Sequence, residues 1–577
     1  VGYIFLFLCR MKQLRSIIFI VGIFLCYQSI AQSNAWILSF GSIAKDGATA
    51  ITEDQSGNII TAGIIKDSAS FTWRGRTYNL YPWRGDCFIT KQTAAGQLIW
   101  LRHIGGTGSI QVKGVATDAQ DNFYITGLFT GTADFNPTSN NFDLISTDPQ
   151  GDIFVAKYDD WGNFIWAKGV GGSGLDYGSS ILIGRDSNVF IAGSFEGGVD
   201  FDPGSGIQQI IGNSVQDAFV LKLGLSGNFK SIYPFGGVGP DFCTDLKMDN
   251  QGHLLVSGSF GSQVDFNPTS ATDTLTSSGL LDAFILKLDS NLSFNWVKKI
   301  GGTGTDAILA VNVDDAGKIY LVGAFEGACD FNPGLGVSQL IANNIDGFVL
   351  QLNATGQYQW VNKIGGVGDD QVVDVAIDQQ YKIYVTGYFR DTVDFDPDTS
   401  VSFNLVAQGN YDHYIYQLDT LGAFSSVQQF TGNTVSAANR VFIDQQGNLY
   451  TAGYFEGTVD FDPSTLINSR TSIGQSDVFI QRHNLLPLVD LLELFENDDA
   501  SVKFYPNPTQ ARIRVAFQEE HKIVEVKIYD KLGRLRQNRN YTNVQIIETV
   551  VEGRAGVYYV ELVLNFTERK VFKIVKN

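Results

Sequence analysis

The chain has 577 residues, of which 18% are charged, and its formal net charge at pH 7 is −19. This acidity argues against nucleic acid as a partner, because such recognition depends on neutralising phosphates with Lys and Arg. The length indicates more than one domain. The charge is also uneven, since residues 501–577 hold 14 Lys and Arg against 8 Asp and Glu.

We expect residues 1–31 to be a secretory signal peptide whose true start is Met11. Lys12 and Arg15 form a basic segment, residues 16–27 are apolar, and small residues suited to cleavage follow. The alternative, a membrane anchor, is disfavoured because the apolar run has 12 residues, against about 20 needed to span a bilayer. We therefore expect no transmembrane segment in the mature chain.

A repeat of about 65 residues runs through residues 32–483. Its clearest motif is Asp-Phe-Asn/Asp-Pro, and successive copies lie 66, 65, 65, 64 and 66 residues apart. A fixed period of this length indicates one structural unit used many times. A seventh, altered copy contains Ser70-Phe71. The six clear copies begin at Asp134, Asp200, Asp265, Asp330, Asp394 and Asp460.

Each repeat is predicted to contain four short strands. Apolar residues alternate with polar ones between clusters of Gly, Asn and Asp, as in antiparallel strands and hairpins. Gly stands at the late position of one hairpin turn in most copies, where a positive φ is needed. Asp121, Ser187 and Tyr381 replace this Gly in three copies, and we expect strain or a different turn there.

Seven units of four antiparallel strands predict an all-β, seven-bladed β-propeller. The repeated region opens with a lone strand at residues 35–40 and closes at residues 477–482, where the partner strand is missing. Pairing these two segments would remove two exposed sheet edges. We therefore predict that residues 35–40 form the outer strand of the last blade.

The repeat also resembles a known family. The recurring string is Trp-x4-Gly-Gly-x-Gly-x-Asp, then Val-x-x-Asp-x-x-Gly-Asn-x-Tyr-x-x-Gly-x-Phe-x-Gly-Thr-x-Asp-Phe-Asp-Pro. It resembles the bacterial β-propeller repeat family (SBBP) over roughly residues 35–483. The resemblance implies a propeller and says little about a ligand.

A linker at residues 484–501 is predicted to separate the propeller from a second domain, residues 502–577. Strand-like runs in that domain predict a small Ig-like β-sandwich. Four motifs in order resemble the type A C-terminal sorting domain of the type IX secretion system. Its motif residues are Tyr505, Pro506, Asn507, Pro508, Tyr529, Asp530, Gly533, Gly556, Tyr558, Lys570 and Lys573.

This resemblance implies that the type IX secretion machinery is a partner. It also implies passage through the outer membrane, removal of the sorting domain, and then release or attachment to surface lipopolysaccharide. The expected location is extracellular or on the outer-membrane surface. An ordinary Ig-like appendage is the alternative.

The acidic loops of the repeats are the candidate sites for binding a cation. The best single segment is residues 200–204, and a ring of acids on one face could hold Ca²⁺. The alternative is that these side chains cap loop amides. We otherwise expect no cofactor and no metal centre, and we expect Cys87, Cys243 and Cys329 to be small buried residues. The glycine-loop acids are Asp46, Asp176, Asp241, Asp306 and Asp370.

Ligand-binding residues are expected where one repeat departs from the others. In the first repeat, Trp73, Arg76, Tyr78 and Trp83 replace polar loop residues. Exposed aromatic rings suit contact with carbohydrate or protein. The alternative is that this stretch packs where the ring closes.

The sequence thus favours an exported, non-enzymatic propeller that binds a surface glycan or protein. No catalytic residue is assigned, because no nucleophile motif, phosphate loop or paired-His signature is present. The alternatives are a polysaccharide hydrolase or lyase on a propeller scaffold and a purely structural matrix component. An enzyme should show one pocket with convergent, non-repeated carboxylates or His.

Overall fold

The computed structural model describes residues 35–576 apart from several gaps. The predicted signal peptide and linker, together with Trp83, Gly533 and the segment 506–508, lie outside the described residues. The gaps are residues 83–84, 139, 214, 269–271, 399–401, 464–466, 484–501, 506–511, 531–534, 552–555 and 565–567.

All regular structure in the described residues is β. The first strand, β1 (Trp36–Phe40), precedes the first complete blade. Blade 1 comprises β2 (Gly47–Glu53), β3 (Asn58–Ile65), the short hairpin β4 (Ala69–Trp73) and β5 (Arg76–Leu80), β6 (Asp86–Thr93) and β7 (Leu98–Gly106). Blade 2 comprises β8 (Ile110–Thr117), β9 (Phe123–Phe129), β10 (Thr132–Asp134), β11 (Asp143–Ile145), β12 (Asp152–Tyr158) and β13 (Phe164–Gly172).

The next two blades repeat this order. Blade 3 comprises β14 (Tyr177–Ile183), β15 (Asn188–Phe195), β16 (Gly198–Asp200), β17 (Gln209–Ile211), β18 (Asp217–Gly224) and β19 (Phe229–Phe235). Blade 4 comprises β20 (Asp241–Met248), β21 (Leu254–Phe260), β22 (Gln263–Asp265), β23 (Thr274–Thr276), β24 (Asp282–Leu288) and β25 (Phe294–Gly302).

In blades 5 and 7 the central strands continue into the hairpin, so each has two long strands. Blade 5 comprises β26 (Ala307–Val313), β27 (Ile319–Asp330), β28 (Gln339–Leu352) and β29 (Tyr358–Ile364). Blade 6 comprises β30 (Gln371–Ile377), β31 (Ile383–Phe389), β32 (Thr392–Asp394), β33 (Asn404–Val406), β34 (Asp412–Leu418) and β35 (Phe424–Phe430). Blade 7 comprises β36 (Ser436–Ile443), β37 (Leu449–Asp460) and β38 (Ser469–His483).

The described strands form seven four-stranded antiparallel units arranged in a ring. The first strands of successive blades contact one another in order, and β36 of blade 7 contacts β2 of blade 1. The missing fourth strand of blade 7 is β1, which pairs with β38 from Trp36↔Arg482 to Phe40↔Val478. This confirms the predicted propeller and its closure by the first strand.

In five of the seven blades a Gly-Gly pair at the end of the fourth strand joins the blade to the next one. A side chain on Gly301 would overlap the carboxylate of buried Asp282, and one on Gly302 would overlap the carbonyl of Ala328 in the next blade. Gly301 and Gly302 pair with Asp330 and its neighbour in β27. The repeated glycines are therefore required by close packing between blades.

The Asp-Phe-Asn/Asp-Pro motif fixes the loop of the short hairpin. In blade 5, Oδ1 of Asp330 accepts hydrogen bonds from the amides of Asn332 (3.0 Å) and Ser338 (2.8 Å). The following Phe331 is fully buried and packs edge-to-face on Phe325, with ring centroids 5.1 Å apart. The motif is therefore architectural, because Asp caps the loop and Phe anchors it in the core.

The predicted strain at one turn is confirmed. Asp121, Ser187 and Tyr381 have φ values of 63°, 56° and 61°. The equivalent Gly447 has φ of 80°. A left-handed conformation is costly for a residue with a Cβ, so these three turns are held by their surroundings.

The last domain is a small β structure around its own apolar core. Both halves of the long strand β40 contribute buried side chains to one cluster, which includes Val515 and Val526. The strand order is β39-β40-β42-β43, with β41 also paired to β40. The strands are β39 (Val502–Tyr505), β40 (Arg512–Asp530), β41 (Leu535–Val550), β42 (Gly556–Leu564) and β43 (Glu568–Lys576).

Candidate binding site in the central channel

The seven first strands surround the propeller axis, and each carries a β-bulge at an equivalent place. Bulged residues connect neighbouring blades: Thr49 donates to the carbonyl of Val112 at 2.7 Å, and Asn439 donates to that of Ala48 at 2.8 Å. The residue after the bulge differs from blade to blade. These residues are Ala50, Gly114, Ser180, Asp245, Ala310, Asp374 and Arg440.

A cavity of about 230 Å³ lies among these strands. Three cationic and two anionic side chains line it, and they come from blades 2, 4, 6 and 7. None of these charges recurs in every repeat, so the channel is a place where the repeat becomes chemically asymmetric. The charged lining residues are Lys113, Asp245, Lys247, Asp374 and Arg440.

Both carboxylates of the channel accept hydrogen bonds from neighbouring blades. Asp245 accepts from the hydroxyl of Ser180 at 2.9 Å and from the amide of Val311 at 3.2 Å. Asp374 accepts from the amide of Val441 at 2.9 Å. Burial raises the pKa of Asp374, against the opposing effect of Arg440 and Lys247. These carboxylates therefore hold the inner strands together.

The cations of the channel are less well satisfied. Among the described residues, neither Lys113 nor Lys247 has a carboxylate within 4.0 Å. Arg440 directs two N–H groups to main-chain carbonyls, those of Asn439 (3.0 Å) and Lys113 (3.5 Å). Burial lowers the pKa of Lys113, and the nearby Arg440 lowers it further. Among the described residues, the cations of the cavity thus form no ion pair within 4.0 Å, although Arg440 and Lys247 act on Asp374 from a greater distance.

The glycine-loop acids that we considered for Ca²⁺ are used within the fold. Asp176, for example, accepts from the amides of Gly172 (2.9 Å) and Glu196 (3.0 Å). Burial raises its pKa to about 7. In the part of the chain that the structure describes, no three His, Cys, Asp or Glu side chains are placed to share a metal ion. This geometry matches the capping alternative, and Ca²⁺ binding stays a prediction.

The predicted aromatic site of blade 1 lies at the ring closure. Trp73 is half-buried, donates its ring N–H to the carbonyl of Gly96 at 2.8 Å, and meets Trp36 of β1 with centroids 6.5 Å apart. Tyr78 is half-buried and stacks on Phe71 at 5.4 Å. These contacts show that Trp73 packs where the ring closes. Ligand binding at this aromatic site stays a prediction.

Arg76 pairs with Trp73 across the hairpin and is exposed. Its side chain is therefore free to meet a partner from solvent. Trp83 lies outside the described residues, so the fourth member of the predicted aromatic site has no structural description.

The described residues of the sorting motif lie on the strands of the last domain. Tyr558 is buried and pairs with Asp530 across β40 and β42. Tyr529 donates its hydroxyl to Glu561 at 2.7 Å. The other described motif positions on these strands are Tyr505, Gly556, Lys570 and Lys573.

Residues 503–577 match the family described as "Secretion system C-terminal sorting domain". The chain carries a type IX sorting domain. It is therefore exported by type IX secretion to the cell surface or the extracellular space. No helix among the described residues has the length and apolarity needed to cross a membrane.

The chain is similar to parts of longer proteins. The chain is 22% identical over 548 residues to an uncharacterized WD repeat-containing protein, L264, of Acanthamoeba polyphaga mimivirus, covering 78% of this chain and 39% of that protein. It is 23% identical over 421 residues to the regulatory protein FlaEY of Caulobacter vibrioides, covering 68% and 41%. The chain thus spans about two fifths of these relatives.

A structural comparison finds the crystal structure of dimeric latent PorU from Porphyromonas gingivalis. The identity is 11%, the match covers 79% of this chain and 34% of that one, and the TM-score is 0.11. The propeller itself is seen in the strand pairing and in the contacts between successive blades.

The channel residues were missed in the sequence. A signal exists for three of them, Asp245, Asp374 and Arg440, because they stand in the repeat column that lies four residues after the glycine-loop acid in most copies. Aligned in that column, the repeats show Ala, Gly, Ser, Asp, Ala, Asp and Arg. Such chemical variety at one repeat position marks the place where a symmetric scaffold becomes specific.

Proposed function

We propose that the protein is an exported binding protein whose propeller takes a small ligand in its central channel. The observation that carries this proposal is the convergence of Lys113, Asp245, Lys247, Asp374 and Arg440, which do not recur between repeats, on one cavity. Ligand sites are concave and contain a few polar groups that fix orientation. The repeated loop acids, in contrast, are used for capping.

Binding is favoured over catalysis by the state of the two carboxylates. Asp245 and Asp374 both accept main-chain hydrogen bonds, which hold them as structural acceptors rather than as a free acid and base. A cavity of about 230 Å³ is also below the roughly 300–1,000 Å³ of pockets for drug-sized ligands. A polysaccharide chain would not fit inside.

A hydrolase or lyase is the second candidate, because two non-repeated carboxylates do meet in one cavity. A surface ligand at Trp73, Arg76 and Tyr78, either a glycan or a protein, belongs to the same binding proposal as a separate contact. The repeat is proposed to be of the SBBP type. Removal of residues 1–31 and a linker at 484–501 are also part of the proposal.

The test is a binding and turnover assay on the purified full chain. Wild type, Asp374→Asn and Trp73→Ala are applied to a glycan array and a small-metabolite panel, and polysaccharides are incubated with each and assayed for new reducing ends. We expect binding without turnover, and metabolite binding that survives Trp73→Ala. Turnover lost in Asp374→Asn would establish the enzyme alternative. Loss of all binding in Trp73→Ala would move the site to blade 1.

A further inference from the structure

The hydrogen-bonding groups of the channel are unbalanced. Each Lys ammonium offers three N–H donors and a guanidinium offers five. The two carboxylates are occupied by Ser180 and by main-chain amides. Among the described residues, Lys113 and Lys247 have no carboxylate within 4.0 Å, and Arg440 uses two donors on carbonyls. The cavity therefore has donors in excess of acceptors.

The charges are unbalanced in the same direction. Three cations and two carboxylates line the cavity, which leaves one formal positive charge inside a chain of net charge −19. Lys113 and Arg440 are close enough for their charges to repel. Unpaired charges in a partly buried site are costly unless something neutralises them.

We propose that the channel binds one small anion that presents several oxygens, either a phosphate- or sulfate-sized oxyanion or a small polycarboxylate. Lys113, Lys247 and Arg440 approach from blades 2, 4 and 7, so they surround a ligand on the axis rather than on one side. Three of the five N–H donors of Arg440 remain for the oxygens of an anion after its two bonds to carbonyls. This inference rests on the proposed function and names the ligand class for it.

A site on the propeller axis lets one bound anion contact several blades. An anion held by three blades connects them across the ring, in addition to the contacts between neighbours. Ligand binding then stabilises the folded ring by mass action, since the unfolded chain has no such site. The carboxylates Asp245 and Asp374 connect the inner strands of neighbouring blades.

The experiment measures thermal unfolding of the full chain in a phosphate-free buffer at constant ionic strength. Inorganic phosphate, sulfate and citrate are titrated separately, with sodium chloride as the salt control. We expect a saturable rise in Tm with at least one of the three and none with chloride. If phosphate or sulfate binds most tightly, the ligand is an oxyanion. If citrate binds most tightly, the ligand is a polycarboxylate.

Two variants identify the site. Lys113→Met and Lys247→Met remove a channel charge and keep the length of the side chain, and Lys230→Met removes an exposed charge from β19 as the matched control. We expect Lys113→Met and Lys247→Met to weaken anion binding at least tenfold by calorimetry. In the absence of anion, Lys113→Met should melt at or above the wild-type Tm, because it removes an unpaired cation.

The inference is overturned if chloride produces the same rise, or if Lys113→Met and Lys247→Met respond to the anion as Lys230→Met does. It is also overturned if calorimetry gives no binding of any of the three anions to wild type. If other molecules bind in the array assay, the protein would still be a binding protein, but its ligand would not be a small anion. The two failures are therefore separable.

Discussion

Single backbone positions show how the repeat tolerates exceptions. Tyr381 stands at a turn position with φ of 61°, where blade 7 has Gly447 with φ of 80°. The rest of the turn is retained in blade 6, because Oδ1 of Asp378 still accepts from the amides of Gln380 (2.9 Å) and Lys382 (2.8 Å). The backbone at this position is therefore strained, while the hydrogen bonds of the turn are unchanged.

We expect Tyr381→Gly to stabilise the folded chain by about 1 kcal/mol, because it removes the cost of a left-handed residue with a Cβ. Gly447→Ala is the matched control at the equivalent turn. Nothing lies within 4 Å of the added methyl, so its effect should have the opposite sign and arise from the backbone alone. Chemical denaturation measures both, and equal signs would contradict the explanation.

His413 makes the interface between blades 6 and 7 sensitive to acid. Its ring is fully buried and stacks on Phe430 at 4.5 Å and on Phe479 at 5.0 Å. Among the described residues, neither ring nitrogen has a hydrogen-bond partner. Burial lowers the pKa of His413 well below its usual value, and neighbouring His483 lowers it further.

A lowered histidine pKa means that the unfolded chain binds the proton first, so stability is lost as pH falls below about 6.5. We expect His413→Leu to be more stable than wild type by up to about 2 kcal/mol at pH 5, since one pH unit corresponds to about 1.4 kcal/mol. The gain should shrink toward pH 8. Denaturation at both pH values checks this, and a gain independent of pH would exclude the titration.

At the scale of elements, the glycine pair is the joint between blades. The four strands of each repeat follow from period-two patterning, and the sequence predicted them. The short hairpins were not predicted as strands, because three residues such as Gln263–Asp265 are too few to show a period. Their pairing with the preceding blade depends on contacts that a single repeat does not contain.

We expect Gly302→Ala to destabilise the propeller by about 3 kcal/mol, because the new methyl would overlap the Ala328 carbonyl and force blades 4 and 5 apart. Gly252→Ala is the control: its φ is +86° and nothing lies within 4 Å of the methyl, so it should cost about 1 kcal/mol. Thermal melts and limited proteolysis compare the two. Equal losses would show that the close approach is unimportant.

At the scale of the whole molecule, buried loop carboxylates control the response to pH. Burial raises the pKa of Asp176, Asp241 and Asp306 to about 7, and that of Asp370 and Asp477 to about 6. A carboxyl whose pKa is raised in the folded state retains protons that the unfolded chain has released. Stability should therefore increase as pH falls through 7.

We expect Tm to rise when the pH is lowered from 8.5 to 6.5, a window above the range in which the buried histidines destabilise. Asp306→Asn should make Tm less dependent on pH over this window, because it removes one of the titrating groups. The amide oxygen of Asn can still accept the hydrogen bond from the Gly302 amide. Thermal melts across the window measure both slopes. A wild-type Tm that falls over this window would contradict the assignment.

The sequence predicted the fold more completely than the site. Repeat spacing, strand patterning and two complementary ends were enough for a closed ring, and the sorting domain was recognisable from ordered motifs. The channel was not predicted because Lys113, Asp374 and Arg440 are far apart in sequence and meet only after seven repeats close. The aromatic residues of blade 1 stood out in sequence, yet Trp73 is now seen to contact Trp36 at the closure.

Ring closure by β1 is the claim on which the channel depends, and hydrogen–deuterium exchange of the full chain tests it most directly. The amides of Trp36–Phe40 should exchange as slowly as those of β7, the equivalent outer strand of blade 1, because β1 pairs with β38 throughout. Exchange of Trp36–Phe40 at the rate of unstructured chain, together with loss of protection in β38, would contradict a closed ring.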